Sequence, residues 1–297
     1  MLMSVSVELT PVMAAGVTLK QMSDKHSQQR AKLSATDIMQ ESLKRHELYP
    51  YVYEEQTLVM VDDQQRHDVR RLYRYSRIEP DGAFKAMIKF VYPELIAGSA
   101  LIFIRHPDGK RTSQLYLPSL GIEPIDYVGG VEDGQLLGSE FSVEDLMPED
   151  MREFVYHREK DIVDADVVYF VLQAFPADGS HIRRTYESRK LLIRQDNFFV
   201  AQIDYRDKQN HLIKRQTRHD IHQVSGQMWR ADMVIVENYL NHYRSILKID
   251  RRVYSSDYVP ESMFDVAQFG VVKRQVSEPQ DISQPESASA MHEGETP

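Results

Sequence analysis

The residues best suited to chemistry lie in one run, Gly138-Ser139-Glu140-Phe141-Ser142-Val143-Glu144-Asp145-Leu146. Glu140, Glu144 and Asp145 could serve as an acid–base pair or as metal ligands. The competing reading is the start of a helix, with Ser142 as cap and Glu144-Asp145 in the first turn, where carboxylates meet the positive end of the helix dipole. Nothing pairs these carboxylates with a nucleophile or a second ligand set, so the capping reading is taken. Gly138-Ser139-Glu140 is not the Gly-x-Ser-x-Gly nucleophile elbow. His219 and His222 are three apart, and on a strand they point to opposite faces, which prevents them from chelating one metal. Arg70, Arg71, Arg74 and Arg77 could meet phosphates or lipid head groups, but a solvated outer face is the simpler expectation. The chain has no cysteine, which excludes a thiol nucleophile, a zinc–thiolate site and a disulfide framework. No catalytic residue, metal site or cofactor is assigned.

What remains is apolar strand surface. Phe84, Ile88 and Phe90 alternate along one segment, Leu101 and Phe103 along the next, and Leu115 follows. Tyr169, Val171, Phe198, Trp229 and Met233 add to them in the second half. They are more than a thin sheet with one helix needs. The ordinary reading is core. The functional one is a hydrophobic cavity under a curved sheet that its cover does not fill. At about 25 cal/mol per Å² of buried apolar surface, such a cavity could hold an acyl chain without any catalytic group.

The elements that would position these residues are mostly strands. A helix capped by Ser34 or Thr36 should run through Ile38, Met39, Ser42 and Leu43 and end before Pro50. From Tyr51 the period becomes two. Strands are expected at 51–61, 69–76, 84–92, 98–105 and 113–117, with turns at Asp62-Asp63, Pro80-Asp81-Gly82 and 107–110. A second set is expected at 154–161, 166–175, 189–193, 198–205, 212–224, 228–240 and 243–254, with hairpin turns at 207–210 and Asn241-His242. That makes roughly ten to twelve antiparallel strands. The stretch 115–146 between the two sets should be the crossover joining two halves of one sheet. The fold class is therefore mainly β (α+β), a large curved antiparallel sheet forming a half-barrel, with an N-terminal helix and short lid helices. Such a sheet must curl to bury its apolar face.

Lys plus Arg number 36 against 45 for Asp plus Glu, a formal charge of -9, which argues against a nucleic-acid partner. No run of 18 apolar residues spans a membrane. Residues 1–33 are expected to be an N-terminal segment. Their start, with a small-residue step at Met13-Ala14-Ala15-Gly16 but no basic region before it, could be a degraded or truncated signal peptide. Residues 34–270 are expected to form one domain. Residues 271–297, acidic and rich in Ser, Gln and Pro, are expected to be a disordered tail.

The order of these pieces resembles the outer-membrane lipoprotein-sorting protein family, the LolA-like group associated with efflux-type exporters. The resemblance rests on Gln114-Leu115-Tyr116-Leu117-Pro118-Ser119-Leu120-Gly121 and on the run from Leu137 to Leu146. There the family carries Asp and Tyr where this chain has Glu140 and Val143. It continues through Tyr205-Arg206-Asp207 with Leu212-Ile213-Lys214-Arg215, through Gln227-Met228-Trp229 with Met233 and Asn238, and through Pro260-Glu261-Ser262-Met263-Phe264. The turn at Asp207–Asn210 lacks the family's glycine. The resemblance implies a half-barrel with a helical lid and a periplasmic carrier of lipid or acylated cargo, with an inner-membrane exporter of the resistance-nodulation-division type as possible partner. Read with the start codon as written, the location would be cytoplasmic. The alternatives are an accessory protein that docks an exporter with no cargo of its own and, weakest, an esterase-like enzyme acting on lipid.

Overall fold

The computed structural model describes residues 30–47, 49–117, 122–126, 135–178 and 186–265. The expected signal-like start and the acidic tail lie outside them. Helix α1, Ala35–His46, begins at a reciprocal capping box: Asp37 N donates to Ser34 Oγ at 3.1 Å, and Ser34 N donates to Asp37 Oδ2 at 3.1 Å. Its face of Ile38, Met39 and Ser42 is buried.

Among the described residues fourteen strands then form one antiparallel sheet. The first set is β1 Tyr51–Val61, β2 His67–Ile78, β3 Phe84–Tyr92, β4 Ala100–Arg105, β5 Arg111–Leu117 and β6 Ile122–Asp126. The second is β7 Phe154–Arg158, β8 Ile162–Asp164, β9 Val167–Pro176, β10 Ser188–Arg194, β11 Val200–Arg206, β12 Leu212–Ser225, β13 Met228–Asn238 and β14 Arg244–Val253. In space the order is β6-β5-β4-β3-β2-β1-β14-β13-β12-β11-β10-β9-β7, with β8 also on β9. Each set is a meander of neighbours, as short connections favour. The two sets meet where β1 pairs with β14, with Glu54 opposite Arg252 and Leu58 opposite Leu247. The sheet is not closed, so it is an open half-barrel with β6 and β7 at its two edges, and residues 135–153 of the crossover lie on its inner face.

The inner face follows from the pairing register, because directly opposed residues share a face. Starting from Leu58 it takes in Glu54, Gln56, Leu72, Arg74, Ser76, Phe84, Ile88, Phe90, Leu101, Phe103 and Leu115 in the first set. In the second it takes in Leu247, Val234, Arg218, Gln216, Ile203, Tyr205, Leu191, Arg189, Phe170 and Leu172. Two bodies cover this face. Helix α1 packs on Phe170, Leu172, Leu191, Ile193, Phe198 and Ile203. The crossover lays Leu136, Phe141, Val143 and Leu146 on Leu72, Ile88, Phe90, Leu101, Phe103 and Leu247. On the outer face, Val259 and Phe264 of the closing segment cover Tyr53, Met87, Ala100 and Ile102.

Details of turn chemistry match the sequence. Gly82 (φ 88) and Gly109 (φ 88) take left-handed conformations in the two Pro-Asp-Gly turns. In the glycine-free turn at 207–210, Asn210 takes that role with φ 65, and Asn210 N donates to Asp207 O at 3.0 Å. After the cap at Ser142 the chain makes two short 3-10 turns, Glu144–Leu146 and Met151–Glu153.

Candidate functional site

Between α1, the tip of the crossover and the centre of the sheet lies a cavity of about 330 Å³. Its wall on the helix side is Met39, Leu43, His46 and Glu47, with Phe199, Val200 and Ile203 beside them. The crossover contributes Phe141, Glu144, Asp145, Leu146, Met147 and Glu149. The floor is the inner face of the central strands, and it is not apolar: Glu54, Gln56, Arg74, Arg189, Gln216, Arg218, Arg230 and Arg252 line it beside Val234, Leu247 and Ile249.

Most of these charges are matched. Glu54 is buried and accepts Arg252 Nε at 2.6 Å, Arg74 Nη1 at 3.2 Å and Gln56 Nε2 at 2.6 Å. Burial pushes its carboxyl up, but Arg252 and Arg74 outweigh that and hold it down at about 2. Arg74 Nη2 also donates to Leu146 O at 2.7 Å, which ties the crossover to β2. Arg189, 4% exposed, forks onto Glu149 at 2.5 and 3.1 Å and lies 3.6 Å over the ring of Phe154. Glu149 also accepts the Tyr156 hydroxyl.

The motif carboxylates are held just as closely. Asp145 and Ser142 form a reciprocal box, with Ser142 N to Asp145 Oδ2 at 2.7 Å and Asp145 N to Ser142 Oγ at 3.3 Å. The cap expected from sequence is therefore present, on a single 3-10 turn. Asp145 also accepts Tyr205 Oη at 2.6 Å and Lys214 Nζ at 2.5 Å. Burial pushes its carboxyl up, and Lys214, the Tyr205 hydroxyl and the Ser142 amide bring it below its ordinary value. Glu144 accepts the Tyr186 hydroxyl, and burial raises its carboxyl despite Arg189 nearby. Glu140 accepts Asn238 Nδ2 at 2.6 Å, Asn241 Nδ2 at 3.2 Å and Gln135 Nε2 at 3.3 Å, while its own amide donates to Ser245 Oγ at 2.9 Å. Ser139 and Phe141 are buried, and Gly138 takes φ 83 in open space. This run anchors the crossover to the sheet.

His46 is the cavity's histidine. Its Nδ1 accepts from Trp229 N at 3.1 Å and its Nε2 donates to Asn197 O at 3.1 Å. Burial, with Arg230 near, lowers it to about 4, so the ring is neutral. Both ring nitrogens are engaged, and among the described residues no hydrogen bond joins His46 to Ser42 or Ser76, the serines of the cavity wall. His219 and His222 stand opposite Met233 and Arg230 on different faces of β12, as their spacing implies.

The eleven apolar residues named from sequence are placed as follows. Phe84 lines the cavity. Ile88, Phe90, Leu101, Phe103 and Leu115 share its face but pack under the crossover. Phe198 packs under α1. Tyr169 and Val171 alternate with the inward Phe170 and Leu172, so they stand on the opposite face. Met233 neighbours the inward Val234 and is likewise on the opposite face, and Trp229 is half-buried. The expected solvated outer face holds for Arg71, which is exposed, and is corrected for Arg70 and Arg74. Arg70 and Arg74 share the inner face with Leu72. Arg70 bonds Leu137 O, and Arg74 bonds Glu54 and Leu146 O, because each has the parity of a buried leucine. Sequence reading passed over the polar floor. Its signal was a charged or amide side chain at an inward position of a strand, such as Glu54 and Gln56 in step with Leu58.

Solved structures of this architecture exist. A putative outer membrane lipoprotein-sorting protein domain from Vibrio parahaemolyticus superposes with a TM-score of 0.70 at 21% identity, over 78% of this chain and 96% of that one. A DUF1329 family protein from Desulfovibrio piger gives 0.68 at 17% identity, over 78% and 99%. A LolA superfamily protein from Nitrosomonas europaea gives 0.58 at 17% identity, over 76% and 100%. At these identities the likeness establishes the fold, which is the LolA-type half-barrel. A family model described as an uncharacterized protein matches residues 82–270. No curated protein matches the sequence.

Proposed function

The chain belongs to that family of uncharacterized proteins, and from its LolA-type fold and central cavity we propose that it is a carrier that binds lipid or an acylated molecule between sheet and helix. The observation that carries this reading is the cavity itself. At about 330 Å³ it is within the range of small-molecule sites, about 300–1,000 Å³. It also sits where the two covering bodies, α1 and the crossover, leave the inner face uncovered. Its wall residues Met39, Leu43, Met147 and Leu146 come from the covers rather than from the sheet. Methionines repack readily around different chains, which suits a protein that must both take up and release.

The cargo would leave one membrane partner, travel shielded from water and be handed to an acceptor. The family resemblance in sequence supports a periplasmic location and an inner-membrane exporter as partner. Among the described residues no helix is long and apolar enough to cross a membrane. The test is a titration of the delipidated protein with a fluorescent fatty acid. Saturable, one-to-one binding that Leu43→Trp abolishes by filling the cavity supports the carrier. An absence of binding refutes it.

A further inference from the structure

The cavity's positive charges are not all matched. Arg74 and Arg252 share Glu54, Arg252 also meets Asp232 at 3.0 Å, and Arg189 meets Glu149. Arg218 and Arg230, on the adjacent strands β12 and β13, have no such partner among the described residues. Arg218 Nη1 donates to Val200 O at 2.8 Å, and Arg230 Nη1 donates to Trp229 O at 3.1 Å. Both guanidinium groups line the cavity, with Tyr254 beside Arg230 and the Phe199 ring 5.8 Å from Arg218, and the five donors of each exceed the carbonyls that they meet. The Nε atoms of Arg74 and Arg189, which line the same cavity, are buried with no acceptor among the described residues.

Neither of the other two wall glutamates, Glu47 and Glu144, is in an ion pair with Arg218 or Arg230 among the described residues. Burial raises the carboxyl of Glu47 against the pull of Arg105 and Arg230, and Glu144 is occupied by the Tyr186 hydroxyl. Burial likewise works against the charge on Arg218 and Arg230, yet guanidinium groups stay protonated in proteins. Unmatched buried charge is costly, and a chain of net charge -9 has carboxylates to spare. The planar fork of arginine fits a carboxylate or phosphate.

Resting on the carrier reading above, we propose that Arg218 and Arg230 are the head-group site of this cavity and that its ligand is a single-chain amphiphile with a carboxylate or phosphate head. The size of the cavity, at the low end for ligand sites, sets the single chain. Met39, Leu43, Leu191 and Ile203 face the chain, and the arginines face the head.

The experiment is calorimetric titration of the delipidated full-length protein with palmitate, with a one-chain lysophosphatidate and with methyl palmitate, on wild type, Arg218→Gln, Arg230→Gln and the double variant. The expected result is that one or both acids bind wild type at least about tenfold more tightly than the ester, since hydrogen bonds to charged groups are worth that much. The better acid identifies the head as carboxylate or phosphate. The double variant should lose that difference while still binding the ester. Equal binding of ester and acids by wild type would overturn the head-group site and leave the carrier standing. Binding of none of the three would overturn the carrier and this inference with it. The wild-type comparison decides the question even if a variant fails to fold.

Discussion

Individual buried side chains here hold more than one partner, so removing one strands the others. Glu149 is shared between Arg189 and Tyr156, with Arg189 seated on Phe154. Arg189→Ala leaves Glu149 in a partly dehydrated site without its counter-charge. The expected loss is about 3–5 kcal/mol, read from urea unfolding, because breaking a buried pair costs more than the pair contributes. His46 makes a different prediction. Its folded value of about 4 lies below the ordinary 6.5, so the unfolded chain takes up the proton first. The stability it contributes is complete above pH 6.5 and is lost as pH falls through that window toward 4, by on the order of 2 kcal/mol. In His46→Gln the fall between those pH values should flatten. Glu54 adds a second window of the same sign. Its folded value of about 2 against 4.5 unfolded means stability is lost as pH drops from 4.5 toward 2. A Glu54→Gln variant should be less stable than the parent at neutral pH and less sensitive to acid.

At the scale of elements, the crossover is a structural cover as much as a connection. Phe141 is fully enclosed by Phe90, Leu72, Leu247 and their neighbours. Phe141→Ala should cost about 3–5 kcal/mol and enlarge the cavity it borders, which equilibrium unfolding and a fatty-acid titration can measure together. The strands were legible wherever one face is apolar, as in β3, where Phe84, Ala86, Ile88 and Phe90 alternate with outward residues. Two strands escaped the sequence. Strand β6 contains Pro124 in a stretch rich in glycine, which reads as linker, but an edge strand tolerates proline. Strand β8 is a three-residue continuation of β7 on the same edge of β9, too short to show a period. The inward charges were illegible for the opposite reason. Alternation marks an inside only if the inside is greasy, and at Glu54, Arg74, Gln216 and Arg189 it is not.

On the scale of the whole molecule, one sheet is divided between two covers. The apolar flanks of the inner face are sealed by α1 and the crossover, and the polar centre is left to line a cavity. The meander within each half could be anticipated from short turns and a cavity under the sheet was expected, but neither the β1–β14 seam nor the polar lining of the cavity was. Which inward residues stay uncovered depends on where the crossover comes to rest, and that is set by tertiary bonds such as Arg74 to Leu146 O and Asp145 to Lys214. The seam between β1 and β14 joins segments almost at opposite ends of the domain, with Thr57 bonded to Asp250 at 2.6 Å. Topologies with such remote pairings fold slowly. The refolding rate should therefore lie in the millisecond-to-second range, as stopped-flow fluorescence of Trp229 can determine.

The carrier reading is tested most directly by native mass spectrometry of the protein purified from its own host without detergent, followed by organic extraction. A near-stoichiometric adduct that extracts as a lipid of one chain with an acidic head is the expected result. A bare protein mass, together with no uptake of added palmitate, would contradict it.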